Sequence, residues 1–122
     1  MKLENKTKRQ LKKHLWKIFS RYIRQRDKGK CFTCNGEGNQ AGHYRTGATC
    51  NNYLYFDERN VNCQCFHCNI NLSGNWRVYQ QRIHYRYGQE IDEVFDRINQ
   101  KDGWDYPFIE KIKEYEDKLR SL

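Results

Sequence analysis

Nowhere in the 122 residues is there an apolar run long enough to cross a membrane. The first residues are basic but lead into no apolar signal-peptide core, so the expectation is a protein that is not secreted. There is a single proline, Pro107, and no internal repeat, low-complexity tract or linker long enough to split the chain. A chain of this length predicts one domain, residues 1–122. Hydrophobic residues make up only 37% of it, and mean hydropathy is −1.15. Little apolar area is left for a core, and small domains built this way often need a staple.

The cysteines offer one. Cys31-Phe32-Thr33-Cys34 and Cys65-Phe66-His67-Cys68 are two Cys-x2-Cys pairs separated by 30 residues. Each pair at that spacing forms a knuckle that presents two thiolates to one tetrahedral ion. Six cysteines would also suit disulfides in a secreted protein, but the missing signal segment and the paired spacing favour zinc. Cys50 and Cys63 are then left over, expected as buried, inert thiols. The ion would close the segment between the pairs into a loop, and that loop carries His43.

Net charge is +8, and it is unevenly placed. Residues 1–30 hold twelve lysines and arginines against Glu4 and Asp27, a net of +10, so the remaining residues sum to −2. A basic arm on a near-neutral body points to a polyanion, and nucleic acid is the commonest intracellular one. A merely solvated helix face is the plain alternative.

Periodicity predicts a helix over 5–27, with Leu11, Leu15, Ile18, Phe19, Tyr22 and Ile23 as its apolar stripe. Lys12, Lys13, Lys17, Arg21 and Arg24 fall largely off that stripe and are the candidate DNA-binding residues. Such a helix could lie on a membrane, but the stripe is needed to cover the zinc domain, so no membrane partner is expected. Gly29 ends the helix. Residues 35–59 read as a hairpin-like or irregular segment, with strands around 40–45 and 53–56. On an extended strand His43 and Arg45 would share a face. From about Asn69 the pattern turns helical, with Leu72, Trp76, Tyr79 and Ile83 as its stripe and Gly88 as the stop. Further helices are expected over about 90–101 and 107–121, with Pro107 suiting a first turn. The chain thus divides into a basic helix (5–28), a zinc-stapled core (29–88) and a helical C-terminal extension (89–122).

The order knuckle, histidine on a hairpin, asparagine, second knuckle, helix resembles the zinc-stapled HNH endonucleases of the treble-clef, ββα-metal type. Asn60 stands five residues before Cys65, and Asn69 directly follows Cys68, both offsets of that family. More closely, Gly42-His43-Tyr44-Arg45, Phe56 to Asn60, Gln64 to Asn69 and Ser73-Gly74-Asn75 are similar to the phage NinG (Rap) recombination proteins. The resemblance covers roughly residues 15–88. It implies a small α+β fold with a zinc-bound treble-clef core, and a phage-encoded endonuclease acting in the host cytoplasm on branched DNA such as Holliday junctions. A junction needs two cuts, which makes a homodimer attractive, though no stretch identifies an interface.

The resemblance also distributes roles. His43 would be the general base, since a neutral imidazole can take a proton near pH 7. Asn69 would hold a catalytic Mg²⁺ or Mn²⁺ ion, with Ser73 facing the same side. Asn60 would orient the imidazole through a hydrogen bond, and Arg45 would hold a phosphate oxygen. One departure stands out: many family members place an acidic metal ligand directly before the histidine, and here that residue is Gly42. Glu37, Asp57, Glu58 or a DNA phosphate are the candidates to complete the site. Each role has a plainer reading beside it: His43 as a structural residue, Asn69 as a helix N-cap, and His14, His67 and His84 as surface residues. The aromatic set, Trp16 and Tyr55 included, reads mostly as core. With no base and no oxygen ligand at work, the same cysteines and basic helix would make a non-catalytic zinc-finger module that binds nucleic acid.

Overall fold

Thr7 starts the longest helix. The computed structural model describes residues 1–46 and 48–122, and in it the Thr7 hydroxyl accepts from the Gln10 amide while the Gln10 side chain accepts from the Thr7 amide. That reciprocal cap satisfies two amides a helix start leaves free. Helix α1 then runs Lys8–Arg26 and stops where Lys28 and Gly29 turn left-handed, with φ of 55° and 67°. Leu11, Leu15, Phe19 and Ile23, spaced by four, are its buried line, and Ile18 and Tyr22 flank it half-buried.

The fold is a small α+β arrangement around one hairpin. Strand β1 (Gln40–His43) pairs antiparallel with β2 (Val61–Gln64), setting Gln40 opposite Gln64, Gly42 opposite Asn62 and His43 opposite Val61. Alternation gives the hairpin two different faces. Ala41, His43 and Val61 turn toward α1, whereas Gly42, Asn62 and Gln64 turn toward the helix that follows the second knuckle. That helix, numbered α3 below, places Tyr79 so that its hydroxyl donates to the Gly42 carbonyl at 2.7 Å and accepts from Asn62 Nδ2 at 3.2 Å.

Two apolar clusters hold the chain. In the first, the α1 line meets Phe56, Val61, Tyr106 and helix α5 (Phe108–Arg120) through Phe108, Ile112 and Tyr115. The Phe19 and Tyr115 rings meet edge-on with centroids 4.9 Å apart. In the second, Tyr44 and Leu54 of helix α2 (Asn52–Tyr55) pack with Tyr79 and Ile83 of α3 (Trp76–Tyr87) and Ile91 and Phe95 of α4 (Ile91–Asn99). The segment after residue 88 therefore contributes to both clusters. Among the described residues no helix is long and apolar enough to cross a membrane.

Two expectations about local structure fail. The aromatic run at 53–56 is a helical turn, not a strand: the Asn51 side chain accepts from the Leu54 amide and caps it. The strand that pairs with β1 lies instead at 61–64. The helix expected from Asn69 begins only at Trp76, because His67–Asn71 form a π-turn and Ser73, Gly74 and Asn75 are all left-handed. Ser73 is consequently not one α-helical turn from Asn69, and Leu72 and Trp76 are exposed.

The 44–60 connection is tied down by Asn60, fully buried at its end. Its Oδ1 accepts from the Arg45 amide at 2.7 Å, and its Nδ2 donates to the carbonyls of Arg45 and Leu54, each at 3.1 Å. Asn60→Ala should take a partner from three backbone groups, leave the Arg45 amide with none, and lower unfolding free energy by about 2 kcal/mol. Urea unfolding checks this, and a loss below about 0.5 kcal/mol would mean the loop is held by something else.

Candidate functional site

The first knuckle forms because Asn35 turns left-handed (φ 66°) just after Cys34. That turn lets the Cys31 amide reach the Gly36 carbonyl at 2.7 Å and aims the Gly36 amide at Cys34 Sγ. Cys65 sits at the end of β2, and Cys68 in the π-turn, its amide facing Cys65 Sγ at 3.3 Å. The ligand atoms of Cys31, Cys34, Cys65 and Cys68 all lie within 4.8 Å of one another, and Cys34 Sγ is 3.8 Å from Cys65 Sγ. Zinc–thiolate bonds of about 2.3 Å in a tetrahedron put sulfurs about 3.8 Å apart, so the four can hold a metal ion such as zinc. Burial works against a Cys31 thiolate, but the Thr33 hydroxyl and nearby backbone amides overcome it and bring that thiol down to about 6. Cys63 is buried and Cys50 half-buried; burial pushes both thiols up, Cys63 to about 11, so neither is a nucleophile at neutral pH.

His43 closes β1 and lies against α1. Its ring stacks on Trp16 at 4.9 Å between centroids with 17° between planes, and the Tyr55 ring is 4.3 Å away. Nε2 sits 2.9 Å from the Tyr55 carbonyl oxygen. A carbonyl only accepts, so Nε2 carries the proton and Nδ1 is the acceptor nitrogen. Burial is the main cause that lowers the imidazole to about 4; the Tyr55 carbonyl opposes it and the Lys12 charge adds to it. Lys12 Nζ stands 4.3 Å over the Tyr55 ring. At neutral pH the ring is uncharged, in one tautomer, with one free lone pair. Trp16 and Tyr55, which the sequence offers only as aromatic bulk, are what fix it.

Asn69 sits in the π-turn directly after Cys68, its amide donating to the Cys65 carbonyl at 3.0 Å and its Nδ2 donating to Gln40 Oε1 at 2.8 Å. It is not an N-cap. Its Oδ1 turns toward Gly42, where a Cβ would stand 2.8 Å from it and 1.9 Å from Gln64 Oε1. The glycine before His43 is thus a packing requirement, since any side chain there would collide with two amide oxygens. His43 and Asn69 flank β1 from its two sides. Among the described residues no strand pairs with the other edge of β1.

Two residues are not placed as expected. Among the described residues Asn60 makes no hydrogen bond to His43, because all its side-chain bonds fasten Arg45 and Leu54; the imidazole is oriented by the Tyr55 carbonyl instead. Arg45 does not share a strand face with His43, since β1 ends at His43. Its guanidinium turns to α4 and pairs with Asp96 at 2.8 Å and Asp92 at 3.2 Å, and Asp92 also accepts from Tyr44 and faces His84. Glu58 is likewise engaged, by Lys118 and Tyr115, and Asp57 by Arg59. On α1, Lys13, Lys17 and Arg21 are exposed, and Lys12 and Arg24 half-buried, Arg24 donating to the Ser20 carbonyl.

Comparison with known proteins agrees with the closer of the two resemblances, that to the NinG proteins, and extends it. The family model for the bacteriophage lambda NinG protein matches residues 1–122. The chain belongs to the NinG family. It is 36% identical to the ninG protein of Escherichia phage lambda over 106 residues, and equally to that of Escherichia phage 933W, in each case covering 83% of this chain and 52% of the relative. The ninG protein of Salmonella phage P22 is 35% identical over the same share. The chain spans about half the length of these curated relatives. No solved structure matches it. The NinG match runs to the last residue, past residue 88, where the motifs stop, in keeping with α4 and α5 sharing both apolar clusters.

Two outcomes are expected of this site. Each of Cys31, Cys34, Cys65 and Cys68→Ser should release one tightly held zinc per chain and abolish cooperative unfolding, since binding a structural ion is folding energy; metal analysis with thermal melts checks it, and stable disulfides in place of metal would refute it. His43 makes stability depend on acid. The unfolded imidazole protonates near 6.5 and the folded one only near 4, so stability present above 6.5 is lost as pH falls toward 4, by about 3 kcal/mol. His43→Phe should remove that part of the pH dependence; an unchanged profile would place the titration elsewhere.

Proposed function

We propose that this protein is a metal-dependent DNA endonuclease of the HNH, ββα-metal kind, acting on branched DNA in phage recombination within the host cytoplasm. The observation that carries it is His43: an imidazole kept uncharged, locked in one tautomer by the Tyr55 carbonyl, with Nδ1 left to accept a proton. A structural residue has no need of that free lone pair beside a lysine. Lys12, whose charge already reaches His43, also lines an open groove of about 440 Å³ with Lys8, Arg9 and the exposed Trp104. Basic side chains beside an exposed indole suit a phosphate backbone and an unpaired base.

In this reading the scissile phosphate lies along the outer edge of β1. Nδ1 of His43 takes a proton from water, the water oxygen attacks phosphorus, and the 3′ oxygen departs. Asn69 would hold a divalent ion such as Mg²⁺ or Mn²⁺, which would supply positive charge to the phosphate and to the departing oxygen. Lys12 neutralises a further phosphate oxygen, the task first expected of Arg45, and Lys13, Lys17 and Arg21 extend the contact along the backbone. A bound phosphate also reverses part of the electrostatics at His43: a negative charge beside the ring favours its protonated form and makes it a stronger base in the complex than in the free protein. A zinc ion at the four cysteines would keep Asn69 in place, since Cys68 is its chain neighbour.

The test is cleavage of labelled four-way junction, duplex and single-stranded DNA by zinc-loaded protein, with Mg²⁺ or Mn²⁺ present or omitted. His43→Ala should keep zinc and DNA affinity while cleavage falls by about 10²–10⁴-fold, the usual worth of a positioned general base. The acid limb of kcat/KM should fall near pH 4, where the free-enzyme imidazole titrates, not near 6.5. Cleavage by His43→Ala at the wild-type rate would overturn the mechanism, and binding without cleavage by the unaltered protein would leave a nucleic-acid-binding zinc module.

A further inference from the structure

The Gln64 side chain is fully buried, yet its Oε1 has no hydrogen-bond partner, alone in this among the buried side-chain polar atoms of the described residues. Its orientation is dictated from the other end. Nε2 donates to the Gly74 carbonyl at 3.0 Å and to Thr33 Oγ1 at 3.1 Å, and because a carbonyl cannot donate, the nitrogen must face Gly74 and the oxygen must face away. It faces the Cα of Gly42. Asn69 presents a second oxygen to the same spot, with its own Nδ2 turned to Gln40. The two oxygens stand 1.9 Å and 2.8 Å from one point, the missing Cβ of Gly42, and are therefore no more than 4.7 Å apart.

Two acceptors aimed at one spot with no proton between them repel each other, and a buried acceptor left unpaired costs about 1–3 kcal/mol. A group of positive charge relieves both. Oxygen ligands about 2.1 Å from a common octahedral ion are separated by about 3.0 Å when adjacent and about 4.2 Å when opposite, inside the limit set here. Amide and carboxylate oxygens are also the donors that Mg²⁺ and Mn²⁺ prefer over thiolates. We infer that Gln64 Oε1 and Asn69 Oδ1 together form a divalent-cation site beside β1, where the absence of a Gly42 side chain lets both oxygens approach the strand. The inference deepens the nuclease reading by naming a second oxygen ligand for its ion, but the two oxygens carry it whether or not DNA is cut. The remaining coordination positions fall to water or to a phosphate.

The experiment is Mn²⁺ titration of zinc-loaded protein without DNA, followed by the electron paramagnetic resonance signal of free Mn²⁺. The unaltered protein should bind one Mn²⁺ per chain. Gln64→Met and Asn69→Ala, which each remove one oxygen, should weaken that binding at least tenfold while zinc content is kept. Gly42→Ala, whose Cβ would push both oxygens off their positions, should do the same; if Gln64→Met loses zinc, Asn69→Ala decides the matter. Wild-type Mn²⁺ affinity in both Gly42→Ala and Gln64→Met, or no Mn²⁺ bound by the unaltered protein, would overturn the site. Expected Mn²⁺ binding with no cleavage of any DNA would sink the nuclease reading and leave this one standing. Mg²⁺-dependent cleavage with unaltered Mn²⁺ affinity in both variants would do the reverse.

Discussion

Four sulfurs brought within reach of one ion are the constraint on which the rest depends. Cys31 and Cys34 belong to the loop after α1, whereas Cys65 and Cys68 lie at the end of β2 and in the π-turn, so drawing them together fixes both strands' surroundings at once. Thiolates this close repel without a cation, and the core offers limited compensation: the apolar residues split into two clusters of modest size. An ion held there would also have a positional effect. Asn69 is bonded to one of the sulfur-bearing residues and Gln64 to another, so both amide oxygens over Gly42 are held one residue away from the metal cluster.

Much of this was legible in the sequence. The line Leu11, Leu15, Phe19, Ile23 has only one helical reading, and two Cys-x2-Cys pairs can close on an ion whatever lies between them. Asn60 and Asn69 were singled out by their offsets from those cysteines, and His43 as the histidine that the resemblance places between the pairs. What failed were inferences that needed the path. Tyr53-Leu54-Tyr55-Phe56 looks like a strand because four residues cannot distinguish a two-fold from a 3.6-fold period, while the deciding signal, Asn51 as a cap, lies just outside the run. Arg45 was placed beside His43 by assuming that the strand continued. It does not continue, because Asn60 captures the Arg45 backbone and turns the chain, and the guanidinium then finds Asp92 and Asp96 on a helix nearly fifty residues away.

Gln64 was invisible for a different reason. Its role depends on the register of β1 against β2 and on a glycine two residues along the opposite strand, neither of which is a property of Gln64 itself. Gly42 looked like a lost ligand; in three dimensions it is the opening that lets two amide oxygens converge. Trp16 and Tyr55 gave no sequence signal beyond their bulk, yet the stacking of one and the carbonyl of the other leave His43 uncharged and single in tautomer.

The Tyr79 hydroxyl has a consequence for errors in assembly. Strands of four residues make few hydrogen bonds, and a slip of one residue between them would cost little in the ladder alone while turning His43 away from Trp16 and Tyr55 to the opposite side. Tyr79 bonds both members of one cross-strand pair, Gly42 and Asn62. In a slipped alignment those two groups are no longer opposite, and a fully buried phenol would lose one or both partners with no water to replace them. Tyr79 thus acts as a proofreading device for the hairpin, penalising the misaligned form in which His43 would face the wrong way.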